Sequence, residues 1–290
     1  MIIDPILIQL LVNGIALGSI IALAAVGLTL TYGILRLANF AHGDLMTLGA
    51  YFTLVANLVG LNIWLSAIIG AALTVGFALG TEALIWRPMR DRRATATTLI
   101  IISIGLALFL RNGIILIWGA GNQSYDLPVV SALTVGDIRI AYYRVLVVLL
   151  ALVTIGGLHL LLQYTKVGKA MRAVADNIDL ARVSGINVEQ VVIWTWVIAA
   201  GLTALGGGMY GLITAVRPNM GWFLILPMFA SVISGGIGNP YGAIAGAYVI
   251  GITQELSTYW ISSEYKIGVS LLIMVLVLLV RPQGLFRGTI

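Results

Sequence analysis

Long apolar runs separated by short polar segments make up most of the chain. Runs at 6–35, 43–60, 62–86, 97–118, 142–164, 190–215, 223–237, 241–258 and 266–281 are each candidates for a bilayer-crossing helix, which needs about 20 mostly apolar residues. The run 223–237 is short and ends in glycine, so it reads either as a crossing or as a half-span. Only helices and closed barrels satisfy their own backbone in lipid. The expected fold is an all-α integral membrane protein, a polytopic helical bundle of about eight or nine transmembrane helices. Residues 1–290 form a single transmembrane domain in this reading. The start, Met1-Ile2-Ile3-Asp4-Pro5, lacks a basic segment, and the first run continues well past the length of a signal-peptide core. It is expected to be a retained span.

Small residues recur four apart along several runs. Gly14, Gly18 and Ala22 form one stripe, Ala200, Ala204 and Gly208 another, and Gly242 and Gly246 beside Ala243 and Ala247 a third. In lipid such stripes let helices pack closely, because dispersion replaces the hydrophobic effect there. Two polar, glycine-rich stretches interrupt the apolar pattern: Asn39 to Asp44 ("NFAHGD") and Ser234 to Gly242 ("SGGIGNPYG"). Broken backbone at membrane depth is tolerated only where protein or a water-filled cavity surrounds it. One break in each half is consistent with an internal repeat around a central pathway, and equally with two tight loops. On the first reading Asn39, His42, Asp44, Gly235, Gly236 and Asn239 are pathway candidates.

The longest polar segment, 165–190, has its own periodicity. Val167, Met171, Val174, Ile178 and Ala181 recur at spacings of four and three, one apolar stripe on a helix. Lys169, Arg172, Asp176, Asp179 and Arg182 lie mostly off it. Ser184-Gly185 reads as a stop, and Asn187 with Gln190 as the cap of the following span. The helix could lie on headgroups or dock into a groove of a partner. Its mixed charges favour docking, since membrane-surface helices are mostly basic.

Charge then orients the spans. Arg87, Arg90, Arg92 and Arg93 crowd one loop; Lys166, Lys169, Arg172 and Arg182 another; Arg281 and Arg287 the tail. Segment 119–141 carries Asp126 and Asp137 against Arg139. The positive-inside rule places the first three in the cytoplasm and 119–141 outside. The net charge of +5 follows from these loops, so nucleic acid is not needed as a partner. Only 9% of residues are charged, against roughly 25% in soluble domains. Absence of cysteine excludes disulfides and thiolate chemistry. With two histidines, zinc chemistry is not expected, nor is any cofactor.

Individual polar residues read modestly. Glu82 is expected to pair with Arg87 near the cytoplasmic interface. Glu255, beside Gln254 near the outward end of its span, either lines the pathway, touches an external partner or is merely wet. Asn39, His42 and Asp44 are expected to satisfy broken backbone near the cytoplasmic side. Arg111 either snorkels or pairs inside the bundle. Trp118, Trp222 and Trp260 are expected as interfacial anchors. No G-x-x-x-x-G-K-[ST] occurs, so the chain has no P-loop.

Four stretches together carry a resemblance: "GLTLTYGILRLANFAHGDLMTLGAY" at 27–51, "GKAMRAVADNIDLARVSGIN" at 168–187, "GGIGNPYGAIAGA" at 235–247 and "RPQGLFRG" at 281–288. The chain resembles the permease subunits of the branched-chain amino acid ABC importers of bacteria. The resemblance implies a permease of the plasma (inner) membrane working with a second, homologous permease, two ATPase subunits and an extracytoplasmic solute-binding protein. ATP hydrolysis would then lie on another subunit, and this chain would not be an enzyme. It implies that 168–187 is the loop that fits the ATPase, through Gly168, Lys169, Arg172, Ala175, Asp176, Ala181, Gly185 and Ile186. Substrates in the family include branched-chain and other neutral amino acids, and relatives carry urea or short amides. A stand-alone channel or secondary carrier for a small polar solute is the competing class, but it has no use for a docking helix. A membrane-embedded enzyme would need a nucleophile, metal or paired-carboxylate set.

Overall fold

The computed structural model describes residues 4–128, 131–135 and 138–286. Asp137 and Arg287, used above to orient the chain, lie outside the described residues. Eleven helices follow in order: α1 Pro5–Leu35, α2 His42–Leu58, α3 Ile63–Asp91, α4 Ala96–Trp118, α5 Tyr142–Tyr164, α6 Lys166–Asp176, α7 Ile178–Val183, α8 Val188–Ile213, α9 Met220–Gly235, α10 Pro240–Ser257 and α11 Lys266–Val280. Among the described residues, six stretches are long and apolar enough to cross a membrane: α1, α3, α4, α5, α8 and Ser263–Val280, which contains α11. The shorter or more polar α2, α9 and α10 fill the other three expected runs. Outward-facing side chains such as Phe109, Leu116, Val153, Leu160 and Leu279 are strongly exposed, as a lipid-facing exterior requires.

One local expectation changes. The arginine-rich segment 87–93 is not a loop. The helix of α3 runs on to Asp91 through a π-helical turn at Glu82–Trp86, and only then does Arg93 adopt a left-handed conformation. The segment 119–141, read above only for its charge, also carries a short hairpin. Within it β1 (Leu133–Val135) pairs antiparallel with β2 (Ile138–Ile140), Leu133 opposite Ile140.

Helix α1 is the mast of the bundle, packed along its length on α10 and α8. The glycine stripes make this contact possible. A Cβ on Gly14 would sit 2.7 Å from the Ile252 Cα, and one on Gly18 would sit 3.0 Å from the Tyr248 Cα. Backbones at that separation gain dispersion over many atom pairs. The stripe on α8 meets α2 in the same way, Ala204 against Gly49 and Gly208 against Thr53. Hydroxyls inside the bundle are satisfied locally: Ser19 donates to the Ile15 carbonyl at 2.8 Å, Thr53 to Gly49 at 2.8 Å and Thr74 to Gly70 at 2.7 Å. The close packing yields a test. Gly18→Val should cost about 1–3 kcal/mol by overpacking and lower the melting temperature in detergent. Gly76→Ala, whose Cβ meets open space within a helix, should leave it unchanged or raise it slightly. Equal melting of the two variants would contradict the packing.

Candidate pathway and coupling surface

The first break begins where Arg36, left-handed at φ 53°, ends α1. The chain then turns back along the helix it has just left. The Asn39 side chain accepts from the Ala41 N–H at 3.0 Å, and His42 opens α2 with Nε2 2.9 Å from the Ala24 carbonyl. A carbonyl only accepts, so Nε2 carries the proton. Ala24 lies eleven residues before Leu35, or about 17 Å along α1. The break therefore reaches well into the bundle, and the expectation that Asn39, His42 and Asp44 sit near the cytoplasmic side is corrected. Of the three, Asn39 satisfies backbone of the break, whereas His42 meets a carbonyl within α1 and Asp44 meets a side chain of α4; all three are buried.

Asp44, in the first turn of α2, is held by Arg111 of α4 in a two-pronged pair, Nε to Oδ1 at 3.2 Å and Nη2 to Oδ2 at 3.1 Å. The Asp44 side chain is 1% exposed and that of Arg111 13%. The guanidinium carbon lies 4.4 Å from the centre of the Trp222 ring, a cation–π contact. Arg111 thus pairs inside the bundle rather than snorkelling. Trp222, expected as a membrane anchor, is 44% exposed and also forms a wall of this ion pair. Trp118 likewise packs on Tyr51, ring centres 5.1 Å apart.

The second break follows α9. Gly236 and Gly238 take positive φ values of 111° and 84°, which favour glycine. The Asn239 side chain accepts from Tyr241 N–H at 3.0 Å and Gly242 N–H at 3.2 Å, capping α10. The Gly238 N–H reaches Thr29 of α1 at 3.0 Å. Gly235 and Gly236 are buried, and the C-terminal segment covers them: Leu285 and Phe286 N–H donate to the Ser234 and Gly235 carbonyls at 2.8 and 3.0 Å. Both breaks thus lean on successive turns of α1, around Ala24 and Thr29. Glu255 is not with them. It sits at the opposite end of the bundle, where Lys266 Nζ lies 2.5 Å from its Oε1.

At the end of the bundle that carries α6 and α7, the single amphipathic helix expected over 165–182 is two helices. Asn177, extended at φ −156°, ends α6, and its side chain caps α7 by accepting from Asp179 and Leu180 N–H at 3.0 and 2.9 Å. An Asn competes with helical backbone in this way, which periodicity alone does not register. The stripe is reset at that point. Met171, Val174 and Ala181 are buried, but Ile178 is 41% exposed. Leu180 and Val183 are exposed as well, at 63% and 81%.

The anchoring of this pair is specific. Gly168 passes so close to the Leu161 and Leu162 carbonyls that a Cβ would collide with them. The Arg172 guanidinium donates to the Leu162 carbonyl, so it holds α6 on the end of α5. Ala175 is partly buried, while Lys169 and Asp176 face outward. Gly185, at φ 85°, makes the turn into α8; Ile186 N–H returns to the Ala181 carbonyl at 3.0 Å. Asn187 caps α8 through Gln190 N–H at 3.1 Å, as expected.

Beside this pair a cavity of about 730 Å³ opens between α3, α6, α7 and α8. Glu82 lies in its wall, bound by Arg90 and by the Trp196 indole N–H at 2.7 Å. Arg87, the expected partner of Glu82, instead meets Glu189 on the surface at 3.2 Å. The π-turn supplies the reason, because it rotates Arg90 rather than Arg87 onto the Glu82 side. The exposed Arg87–Glu189 pair adds little stability. The buried Glu82–Arg90–Trp196 set fixes α3 to α8.

Sequence reasoning missed Arg90, Arg144 and Lys266 as members of polar clusters, because each was read only as a loop charge or passed over. Arg144 and Lys266 stand at the first turns of α5 and α11, where a basic residue carries no signal that sets it apart from an ordinary solvated charge.

A family model described as branched-chain amino acid transport system / permease component matches residues 10–278. The high-affinity branched-chain amino acid transport system permease protein LivH of Escherichia coli is 32% identical, over 96% of this chain and 94% of that one. The probable branched-chain amino acid transport permease protein LivH of Methanocaldococcus jannaschii is also 32% identical, over 96% and 91%. The ribose import permease protein RbsC of Escherichia coli is 24% identical, over 90% and 82%. Among solved structures, PsaBC from Streptococcus pneumoniae in complex with Fab shares the fold, with a TM-score of 0.52 at 14% identity over 96% of this chain and 92% of that one.

The Asp44–Arg111 pair yields a test. Asp44→Asn strands a buried guanidinium and should cost about 3–5 kcal/mol. Combining it with Arg111→Met should recover part of that loss in a thermal melt. Independent, additive losses would show that the two groups do not act as a pair.

Proposed function

Because this chain belongs to the family of branched-chain amino acid transport permease components, we propose that it is the membrane-spanning permease subunit of an ATP-driven importer for branched-chain or other neutral amino acids. It works in the inner membrane with a second, homologous permease, a pair of ATPase subunits and an extracytoplasmic solute-binding protein. The absence of a P-loop supports placing ATP hydrolysis on a separate subunit. The relatives named for branched-chain amino acid transport, at 32% identity, support the choice of cargo over amides or urea.

The observation that carries the proposal is the unpartnered apolar face of α7. Leu180 and Val183 are exposed at the basic end of the bundle, on a helix whose opposite side is buried at Ala181. The basic residues at that end support a cytoplasmic assignment. There the α6–α7 pair, including Lys169, Asp176, Ala181 and Gly185, enters a cleft of the ATPase as a rigid unit. Arg172 and Gly168 serve it from behind, by tying α6 to α5. ATPase closure would move this unit and, through α5 and α8, the two breaks packed on α1. In that scheme Asn39, His42, Asp44, Gly235, Gly236 and Asn239 act as gate elements that hold the route shut in the present conformation.

The test leaves the fold untouched. Leu180→Asp with Val183→Asp places two charges on an exposed face. Burying two aliphatic side chains is worth about 1.5–3 kcal/mol each, so ATPase binding should weaken at least about a hundredfold. Co-purification of the ATPase and amino acid uptake should both be lost while membrane insertion and melting are retained. Unchanged recruitment would sink the docking assignment.

A further inference from the structure

The end of the bundle opposite α6 and α7 holds a second cavity, of about 320 Å³, a volume at the small end of the ligand-pocket range of about 300–1,000 Å³. Leu17, Ile213, Phe223, Leu224 and Pro227 give it an apolar wall. Three charged side chains open onto it: Arg144 from α5, Glu255 from α10 and Lys266 from α11. No helix of the docking surface contributes, and neither break does.

The charges are not matched among themselves. Arg144 is partly buried and donates through Nη1 to Asn13 Oδ1, a neutral amide oxygen. It belongs to none of the four ion pairs formed among the described residues. A guanidinium has five donors in a planar fork suited to a carboxylate, so most of this one remains unspent. Glu255, its side chain 14% exposed, gives Oε1 to Lys266, and its Oε2 has no partner among the described residues. Partly buried charge without a counter-charge, which is the state of Arg144, is costly. Counting Arg144 and Lys266 against Glu255 leaves an excess of one positive charge. A free cation is therefore disfavoured. A neutral polyol would leave the Arg144 fork unmatched.

A zwitterion fits all three features at once. Its carboxylate takes the Arg144 fork, its ammonium takes Oε2 of Glu255, and an aliphatic side chain lies against Leu17, Phe223 and Leu224. We infer that this cavity is an entry site for a zwitterionic α-amino acid with an apolar side chain, where the solute rests after leaving its carrier and before the gate opens. The inference rests on the permease reading above. It accounts for why Glu255 is separate from the two breaks: it acts at the mouth, not at the gate.

The chain has no native cysteine, so a single thiol can report on occupancy. Thr214 is exposed and lines the cavity. The full chain carrying Thr214→Cys, in lipid nanodiscs, would be labelled with a membrane-impermeant maleimide in the presence of three probes: L-leucine, L-leucinamide, which lacks the carboxylate, and 4-methylpentanoate, which lacks the ammonium. L-Leucine should slow labelling at concentrations about tenfold below either analogue, the size expected for one charged hydrogen-bond partner. Arg144→Met should reduce L-leucine to the level of L-leucinamide, and Glu255→Gln should reduce it to the level of 4-methylpentanoate. Equal protection by all three probes, no protection by L-leucine, or the same loss for every probe in both variants would overturn the entry site. The permease reading fails separately, if the assembled complex shows no ATP-driven amino acid uptake whatever the outcome of labelling.

Discussion

Backbone-to-backbone contact along α1 is the constraint on which the architecture depends. Lipid supplies no hydrophobic drive for helices to associate, so the bundle must gain its cohesion from close van der Waals approach. Gly14 and Gly18 of α1 lie against Gly251, Ile252 and Tyr248 of α10 with no room for a side chain. That tight seam turns α1 into a fixed reference. Both broken segments are then positioned by polar contacts to it, His42 to the Ala24 carbonyl and Gly238 to Thr29. A looser seam would leave neither break a defined place to close.

Charge inside the bundle follows a consistent rule. Asp44 with Arg111, and Glu82 with Arg90 and Trp196, each join two helices that are distant in sequence, and each is shielded by an indole ring or its N–H. Such pairs contribute more to specifying which helices meet than to net stability, because desolvation offsets most of the attraction. The cluster of Arg144, Glu255 and Lys266 departs from that rule, since its charges and hydrogen-bonding capacity are not used up internally.

Much of this was legible in the sequence. The nine apolar runs, the helix-packing stripes, the Asn187 cap and the position of both breaks follow from periodicity and glycine placement, which are local properties. The errors share a cause. The break at Asn177 depends on a side chain competing with backbone; the pairing of Glu82 with Arg90 depends on a π-turn that shifts the register by one residue; the depth of His42 depends on the chain doubling back. None of these changes the hydropathy pattern. Family resemblance pointed to the α6–α7 region, but not to which of its residues face outward. Periodicity did set Met171 on the apolar stripe and leave Leu180 off it, but it also put Ile178 on the stripe, and Ile178 is exposed. Arg144 and Lys266 escaped because charges at span ends are ordinarily solvated, and only their convergence in space makes them a site.

The clasp formed by residues 281–286 bears on biogenesis. The Ser234 and Gly235 carbonyls at the second break are met by the N–H groups of Leu285 and Phe286, which a ribosome delivers only after α10 and α11 have been made. Until α11 has threaded back through the bilayer, those carbonyls lack these partners. The second break therefore reaches the geometry described only after α11 has been inserted, which couples that helix's insertion to the ordering of a turn made some thirty residues earlier.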